Sequence, residues 1–181
     1  RLEIKNKSEI GLKIQETINT GNLVPDDIVG KLVENIVSNK KYENRIIFDG
    51  YPRNLTQAKA LDDLLIKYKQ KVNLVLNLTT KLETIKKRIS GRYSCSKCGK
   101  IYNKFFNPPP KGKDCCFDNL LIKRNDDNID VAIKRFNTYE KQTEPVIDFY
   151  KKKKLLKEVD GESSIEQIYK EISGIIAFIE G

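Results

Sequence analysis

The sequence predicts an α/β fold: a parallel sheet with surrounding helices, plus a small β-rich insert. Three observations predict it. Short apolar runs alternate with helical stretches, in the order Ile46-Ile47, 55–68, Val72–Leu78 and Leu82–Ser90. That strand, helix, strand, helix order implies right-handed parallel crossovers. From Arg92 to about Lys123 the character changes to Gly, Pro, Cys and aromatics, with Asn107-Pro108-Pro109-Pro110 in the middle. Proline removes ladder donors, so this stretch is a separate insert and not a continuation of the sheet. All four cysteines fall between 95 and 116, within that insert.

In chain order, Ser8-Glu9-Ile10 reads as a helix start, with apolar positions Ile10, Leu12, Ile14 and Ile18 and a stop at Gly21. Pro25-Asp26-Asp27 opens a second helix, because proline suits a first turn and acids favour the positive helix end. Its stripe is Ile28, Leu32, Val33, Ile36 and Val37. Ile46-Ile47 reads as a buried strand ending at Asp49, where Gly50 and Pro52 break it into a turn before the helix from Leu55. Val72 to Leu78 is apolar enough for burial in a parallel sheet. Leu82 to Ser90 is a helix stopped by Gly91. Beyond the insert, Ile129–Lys141 and Glu144–Lys153 read as helices and Leu155–Val159 as a third strand closed by Asp160-Gly161. Ser163 or Ser164 caps a final helix, with Glu166 nearby and apolar positions Ile165, Ile168, Ile172 and Ile176.

The chain has 181 residues, enough for one α/β domain with a sizeable core and a small insert. No stretch approaches transmembrane length and no secretory signal is visible. Residue 1 is Arg and Met is absent, so the true N-terminus, with any targeting segment, is expected to lie upstream. The net charge of +9 and pI near 9.3 favour polyanionic partners, although a lysine run such as Lys151–Lys154 is an ordinary solvated face. With no His, imidazole catalysis, His metal ligation and Ser-His or Cys-His schemes are excluded for these residues.

Three constellations carry chemistry. Asp49-Gly50-Tyr51-Pro52-Arg53 with Gln57 lies at a strand's carboxyl end, where open α/β sheets bind ligands. A carboxylate, a glycine and an arginine there suit a phosphorylated ligand and its metal ion. A plain turn with a surface arginine fits the same residues, and the rest of the chain must decide. Cys95-Ser96-Lys97-Cys98 is a standard zinc knuckle. Cys115 and Asp118 share that spacing, so Cys95, Cys98, Cys115 and Asp118 form the favoured structural zinc set, with the adjacent Cys116 the alternative fourth ligand. The clustering also points to a reducing compartment. Arg88 and Arg92 stand at the insert's entry, and Arg124 and Arg135 at its exit. Arginine gives phosphate a planar fork that lysine lacks. Hinge ion pairs to Asp126 and Asp127 are the competing explanation. Tyr102, Phe105 and Phe106 could stack on a base, and two of the three are expected to form the insert's small core.

Taken together, these motifs resemble the adenylate kinases of the long-lid type with a zinc knuckle. The resemblance covers essentially the whole chain. It rests on Gly21-Asn22-Leu23-Val24-Pro25-Asp26, Asp49–Arg53 with Gln57, Arg88-Ile89-Ser90-Gly91-Arg92, Cys95-x-x-Cys98, Phe106-Asn107-Pro108-Pro109, Arg124 with Asp126-Asp127, Arg135 and Val159-Asp160-Gly161. The resemblance implies a P-loop kinase-like fold and the reaction of ATP with AMP to two ADP, with Mg²⁺. It implies Arg1 and Arg53 on the AMP phosphate, and Asn22, Leu23 and Val24 lining the AMP pocket. Gly50, Tyr51 and Pro52 belong to the AMP turn, and Gln57 reads adenine. Asp49 orders the Mg²⁺ water shell. On the ATP side it implies Arg88 against the base, Arg92 on phosphate, and Ile101, Tyr102, Phe106 and Ser163 nearby. Arg124 and Arg135 clamp the transferring phosphoryl group.

The implied organisation is a helical AMP region (1–40), a core (41–91), a lid with the zinc knuckle (92–124) and a second core part (125–181). The expected protein is an intracellular, cytoplasmic monomer whose partners are ATP, AMP and ADP, without nucleic acid or membrane. Three features depart from the family pattern. No Gly-x-x-x-x-Gly-Lys phosphate loop occurs, so the 181 residues alone are expected to be inactive or nearly so. Asp118 replaces a cysteine, and the lid is one residue short before Arg124. Tyr51 stands where Phe is commoner. Two other readings are a basic zinc-knuckle module that binds nucleic acid, with strong salt dependence, and a non-catalytic relative that binds AMP.

Overall fold

The computed structural model describes residues 11, 12, 14, 15, 17, 24–110, 118–123 and 127–180. Its elements are α1 (Asp26–Val37), α2 (Leu55–Lys67), β1 (Val75–Thr79), α3 (Leu82–Ser90), β2 (Arg92–Cys95), β3 (Ile101–Asn103), β4 (Leu121–Ile122), α4 (Ile129–Thr138), α5 (Glu144–Lys152), β5 (Leu156–Asp160) and α6 (Ile165–Glu180). The architecture is α/β, with a parallel sheet flanked by helices. No helix among the described residues is long and apolar enough to cross a membrane. The described residues divide into two compact units, Val24–Thr80 with Thr138–Gly181, and a second containing Lys81–Asn137.

In the first unit, β1 and β5 pair in parallel, with Val75 opposite Leu156 and Thr79 opposite Asp160. Two clusters form the core. Val37, Leu61 and Leu65 are buried together, with Val33, Ile46, Phe48, Tyr51 and Tyr68 packed on them. Ala58, Val146 and Tyr150 form the other, joining α2 and α5 beside Val75 and Leu156. Asn54 caps α2 by accepting the Gln57 backbone N–H at 2.8 Å. Buried Gln70 closes α1, donating from Nε2 to the Val37 carbonyl at 3.1 Å while its Oε1 accepts the Asn44 N–H.

Gly161 follows β5 and donates its N–H to the Thr79 carbonyl at 2.8 Å. A Cβ there would lie 2.4 Å from Thr80 Oγ1 and 2.7 Å from the Thr79 carbonyl oxygen. Backbone cannot move aside cheaply, so Gly161→Ala is expected to destabilise the fold by about 1–3 kcal/mol, read as a lower urea midpoint.

In the second unit, β3, β2 and β4 form an antiparallel sheet in that order. Tyr93 faces Tyr102, and Cys95 faces Leu121. Among the described residues, the cluster behind this sheet is Cys95 and Tyr102, with Leu120 and Leu121 against them. Asn103 fastens the hairpin to α3, donating from Nδ2 to the Arg88 carbonyl at 2.8 Å, while Lys104 N–H reaches the Gly91 carbonyl.

Several sequence expectations need correction. Residues 45–48 form no ladder among the described residues, although Ile46 and Phe48 pack inward and Ile47 is 93% exposed. The in–out alternation of a strand is kept, but no paired backbone accompanies it. The strand at 72–78 starts later, at Val75. The helix expected over 129–141 ends at Thr138 and continues as a π-helical turn, Tyr139–Thr143, into α5. In α6 the partly buried face is Ile168, Ile172 and Ile175, whereas Ile165 and Ile176 are exposed. Of the two serines expected as its cap, Ser164 fills the role, with Gln167 as its partner: Ser164 Oγ accepts the Gln167 N–H, and Gln167 Oε1 accepts the Ser164 N–H. Of the three insert aromatics only Tyr102 is core. Phe105 and Phe106 are about half exposed, because Asn103 Oδ1 accepts both of their N–H groups and turns the chain outward. Residues 11, 12, 14, 15 and 17 are helical, with Ile14 buried and Leu12 exposed; the helix start at Ser8–Ile10, Ile18 and Gly21 lie outside the described residues.

Candidate functional site

The turn at 49–54 is built by backbone restraints that arise from its sequence. Gly50 adopts φ +65°, a conformation that L side chains resist. This bend brings the Gly50 carbonyl to Arg53, whose Nε donates to it at 2.6 Å. Tyr51 anchors the turn from below, its ring tilted 6.0 Å from Phe48 over the Leu61 cluster. Burial raises the Tyr51 hydroxyl's pKa, with the Asp26 charge adding to the effect, so the phenol stays neutral. Asp49 is exposed at the turn's start.

Gln57 is the buried hub of this turn, 3% exposed. Its Oε1 accepts the Arg53 backbone N–H at 2.8 Å, and its Nε2 donates to Asp26 Oδ1 at 2.7 Å. Asn54 Nδ2 donates to the same carboxylate at 3.1 and 3.3 Å. Thr143, from the π-helical turn, donates its hydroxyl to the Arg53 carbonyl at 2.7 Å. Both backbone groups of Arg53 are therefore engaged, which presents the side chain from a fixed base beside the N-terminus of α2. A guanidinium next to a helix N-terminus is chemistry for an anion.

The second unit holds Arg88, Arg92, Ile101, Tyr102, Phe106 and Arg135. Arg92 meets Asp127 through Nε, at 3.0 and 3.1 Å, and through Nη2. The Asp127 side chain is fully buried, so the hinge ion pair is present for this arginine. Arg88 lies over the Phe106 ring, 5.7 Å from its centroid. Ile101 is half exposed and Tyr102 is buried. Arg135 is on the last turn of α4. In the first unit, Ser163 follows β5, with its Oγ donating to Asp160 at 3.5 Å.

The cysteine knuckle is closed by backbone bonds from Gly99 N–H to the Cys95 carbonyl and from Cys95 N–H to the Lys100 carbonyl, both 2.9 Å. Gly99 turns with φ +72°. Ser96 N–H reaches the Leu120 carbonyl at 2.8 Å, which sets the backbone around residue 120 beside the knuckle. Thiolate donors on such a turn suit zinc. Among the described residues no group of three or more candidate ligands forms a metal site. Arg1, Asn22, Leu23, Cys115, Cys116 and Arg124 lie outside the described residues, as does the side chain of Asp118.

Sequence reasoning did not single out Asp26, Asn54 or Thr143. Asp26 was visible as a first-turn acid, and Asn54 followed by Gln57 is a capping pattern. The convergence of both on one buried amide is tertiary and has no local signal.

Comparison with known proteins adds to this geometry. Residues 1–155 match the family model described as adenylate kinase. An adenylate kinase of Pelagibacter ubique is 40% identical over 176 residues, covering 97% of this chain and 83% of that protein. One from Chloroherpeton thalassium is 42% identical over 178 residues, covering 97% and 82%. One from Archaeoglobus fulgidus is 36% identical over 182 residues, covering 99% and 83%.

Proposed function

The chain belongs to the adenylate kinase family, and from that premise we propose that it transfers the terminal phosphoryl group of ATP to AMP, giving two ADP. In this reaction an AMP phosphate oxygen bonds to the γ-phosphorus of ATP, the bond to the β,γ-bridging oxygen breaks, and ADP leaves. Such transfer needs positioning and charge neutralisation more than covalent help.

The observation that supports this reading best is the Gly50–Gln57 turn, with Arg53 braced beside a helix N-terminus and Gln57 locked behind it. In the proposed roles, Arg53 and Arg1 take the AMP phosphate, Asn22, Leu23 and Val24 line its pocket, and Gln57 meets adenine. Arg124 and Arg135 clamp the phosphoryl group in flight. Arg88, Arg92, Ile101, Tyr102, Phe106 and Ser163 serve the ATP side. Asp49, exposed at the turn's start, suits the water shell of the Mg²⁺ that accompanies ATP and neutralises its phosphates.

AMP binding reads the acceptor residues directly, and within the 181 residues no Gly-x-x-x-x-Gly-Lys donor cradle occurs. Calorimetric titration with AMP is expected to show saturable binding in the micromolar to millimolar range, of order −4 to −8 kcal/mol. No heat at 10-fold higher AMP than that range, roughly 10 mM, would overturn the acceptor assignment.

For the insert, we propose structural zinc held by Cys95, Cys98, Cys115 and Asp118. The reason is the hairpin's support among the described residues, a cluster of two buried side chains, Cys95 and Tyr102, which a metal would reinforce. Elemental analysis is expected to find about one zinc per chain, and Cys95→Ser with Cys98→Ser to lose it. Less than about a quarter of an equivalent in the unaltered protein would count against the site.

A further inference from the structure

We propose that Asp26 is a specificity-determining positioning residue: it fixes the orientation of the Gln57 amide and thereby favours adenine over a 6-oxopurine. This rests on the reading above, in which Gln57 meets the base. An amide side chain has a donor end and an acceptor end, and its partners decide which way it points. Here both partners are unambiguous. A carboxylate only accepts, and Asp26 takes the Nε2 end at 2.7 Å. A backbone N–H only donates, and that of Arg53 takes the Oε1 end at 2.8 Å. Reversing the amide would set Nε2 against the Arg53 N–H and Oε1 against a negative charge.

Asp26 also holds Asn54, whose Nδ2 donates to it while its Oδ1 accepts the Gln57 backbone N–H. One carboxylate thus sets both amides and the start of α2. Locked in this way, Gln57 retains one lone pair on Oε1 and one proton on Nε2. Adenine offers the matching pair, an N6 amino donor and an N1 acceptor. A 6-oxopurine offers the reverse, an O6 acceptor and an N1–H donor, so it needs the reversed amide. Asp26 is the stronger of the two restraints, because a hydrogen bond to an ionised group exceeds a neutral one.

The test is the ratio of AMP to IMP affinity, measured by titration on the 181-residue chain, with a thermal melt for each variant. A merely structural lesion at Asp26 would weaken AMP and IMP together and leave the ratio unchanged. Asp26→Asn lets the amide turn over, and Asp26→Ser removes the carboxylate while keeping a residue that suits a helix start. Both are expected to lower the ratio about tenfold. Asp27→Asn, which removes the neighbouring first-turn acid of α1, is expected to keep it. An unchanged ratio in both Asp26 variants, with Gln57→Ala collapsing it, would overturn the role of Asp26 and leave Gln57 on the base. An unchanged ratio in Gln57→Ala would overturn the base-reading itself, and the role of Asp26 with it.

Discussion

Arg53→Ala is expected to weaken AMP binding by about a hundredfold or more while changing the melting temperature little. Each charge-assisted hydrogen bond to a phosphate is worth about 1.5–3 kcal/mol, and a guanidinium makes them in pairs. At about 1.4 kcal/mol per factor of ten, losing one pair gives that hundredfold. Two of the restraints at this position are made by backbone and are kept. The Arg53 N–H to Gln57 and the Arg53 carbonyl from Thr143 survive truncation to alanine. The side chain's bond to the Gly50 carbonyl is exposed and contributes little. Arg53→Lys keeps the charge and loses the fork, so it should fall between the two. AMP titration of the three proteins decides it. A loss under about threefold in Arg53→Ala would remove the phosphate from this residue.

Leu61→Ala is expected to destabilise the first unit by about 3 kcal/mol, within the 2–5 kcal/mol range of such truncations. Leu61 is 2% exposed at the centre of the cluster with Val37 and Leu65. The atoms around it come from α1, α2 and the segment carrying Ile46, Phe48 and Tyr51. These are separate elements with fixed backbones, so they close over a lost side chain only in part. Urea unfolding should show a lower midpoint at an unchanged slope. A change under about 1 kcal/mol would mean that this cluster is looser than its burial indicates. The same truncation removes support beneath Tyr51, so AMP affinity should fall modestly, well short of the Arg53→Ala loss.

The helices were legible because their apolar stripes are long and their ends are marked. Leu82–Ser90 carries its acidic first turn, its basic last turn and its stop at Gly91 in its own residues. Ile46–Phe48 shows the limit of that reading. Its alternation records which side chains face the core, but a strand needs a partner, and sequence periodicity does not supply one. The π-helical turn Tyr139–Thr143 is a local register change inside an otherwise helical pattern, and no residue type there announces it. The shift at two of the four positions expected for α6, Ile165 and Ile176, has a similar cause. The helix is apolar over much of its circumference, so several phases fit, and packing chose Ile168, Ile172 and Ile175.

At the site, residue types and spacing pointed to Gly50, Arg53 and Gln57 together. They could not show that Gln57 is buried and anchored to Asp26, 31 positions earlier. They also left open whether Arg92 pairs with a hinge acid, which its contact with buried Asp127 answers for this conformation.

Backbone amide NMR of the chain titrated with AMP tests the central claim, that the turn from Gly50 to Gln57 is the acceptor site. The largest shifts are expected at the N–H groups of Gly50, Arg53, Asn54 and Gln57, with inorganic phosphate reproducing those at Gly50 and Arg53 alone. Saturable AMP binding that leaves these four signals in place and moves others would contradict the account.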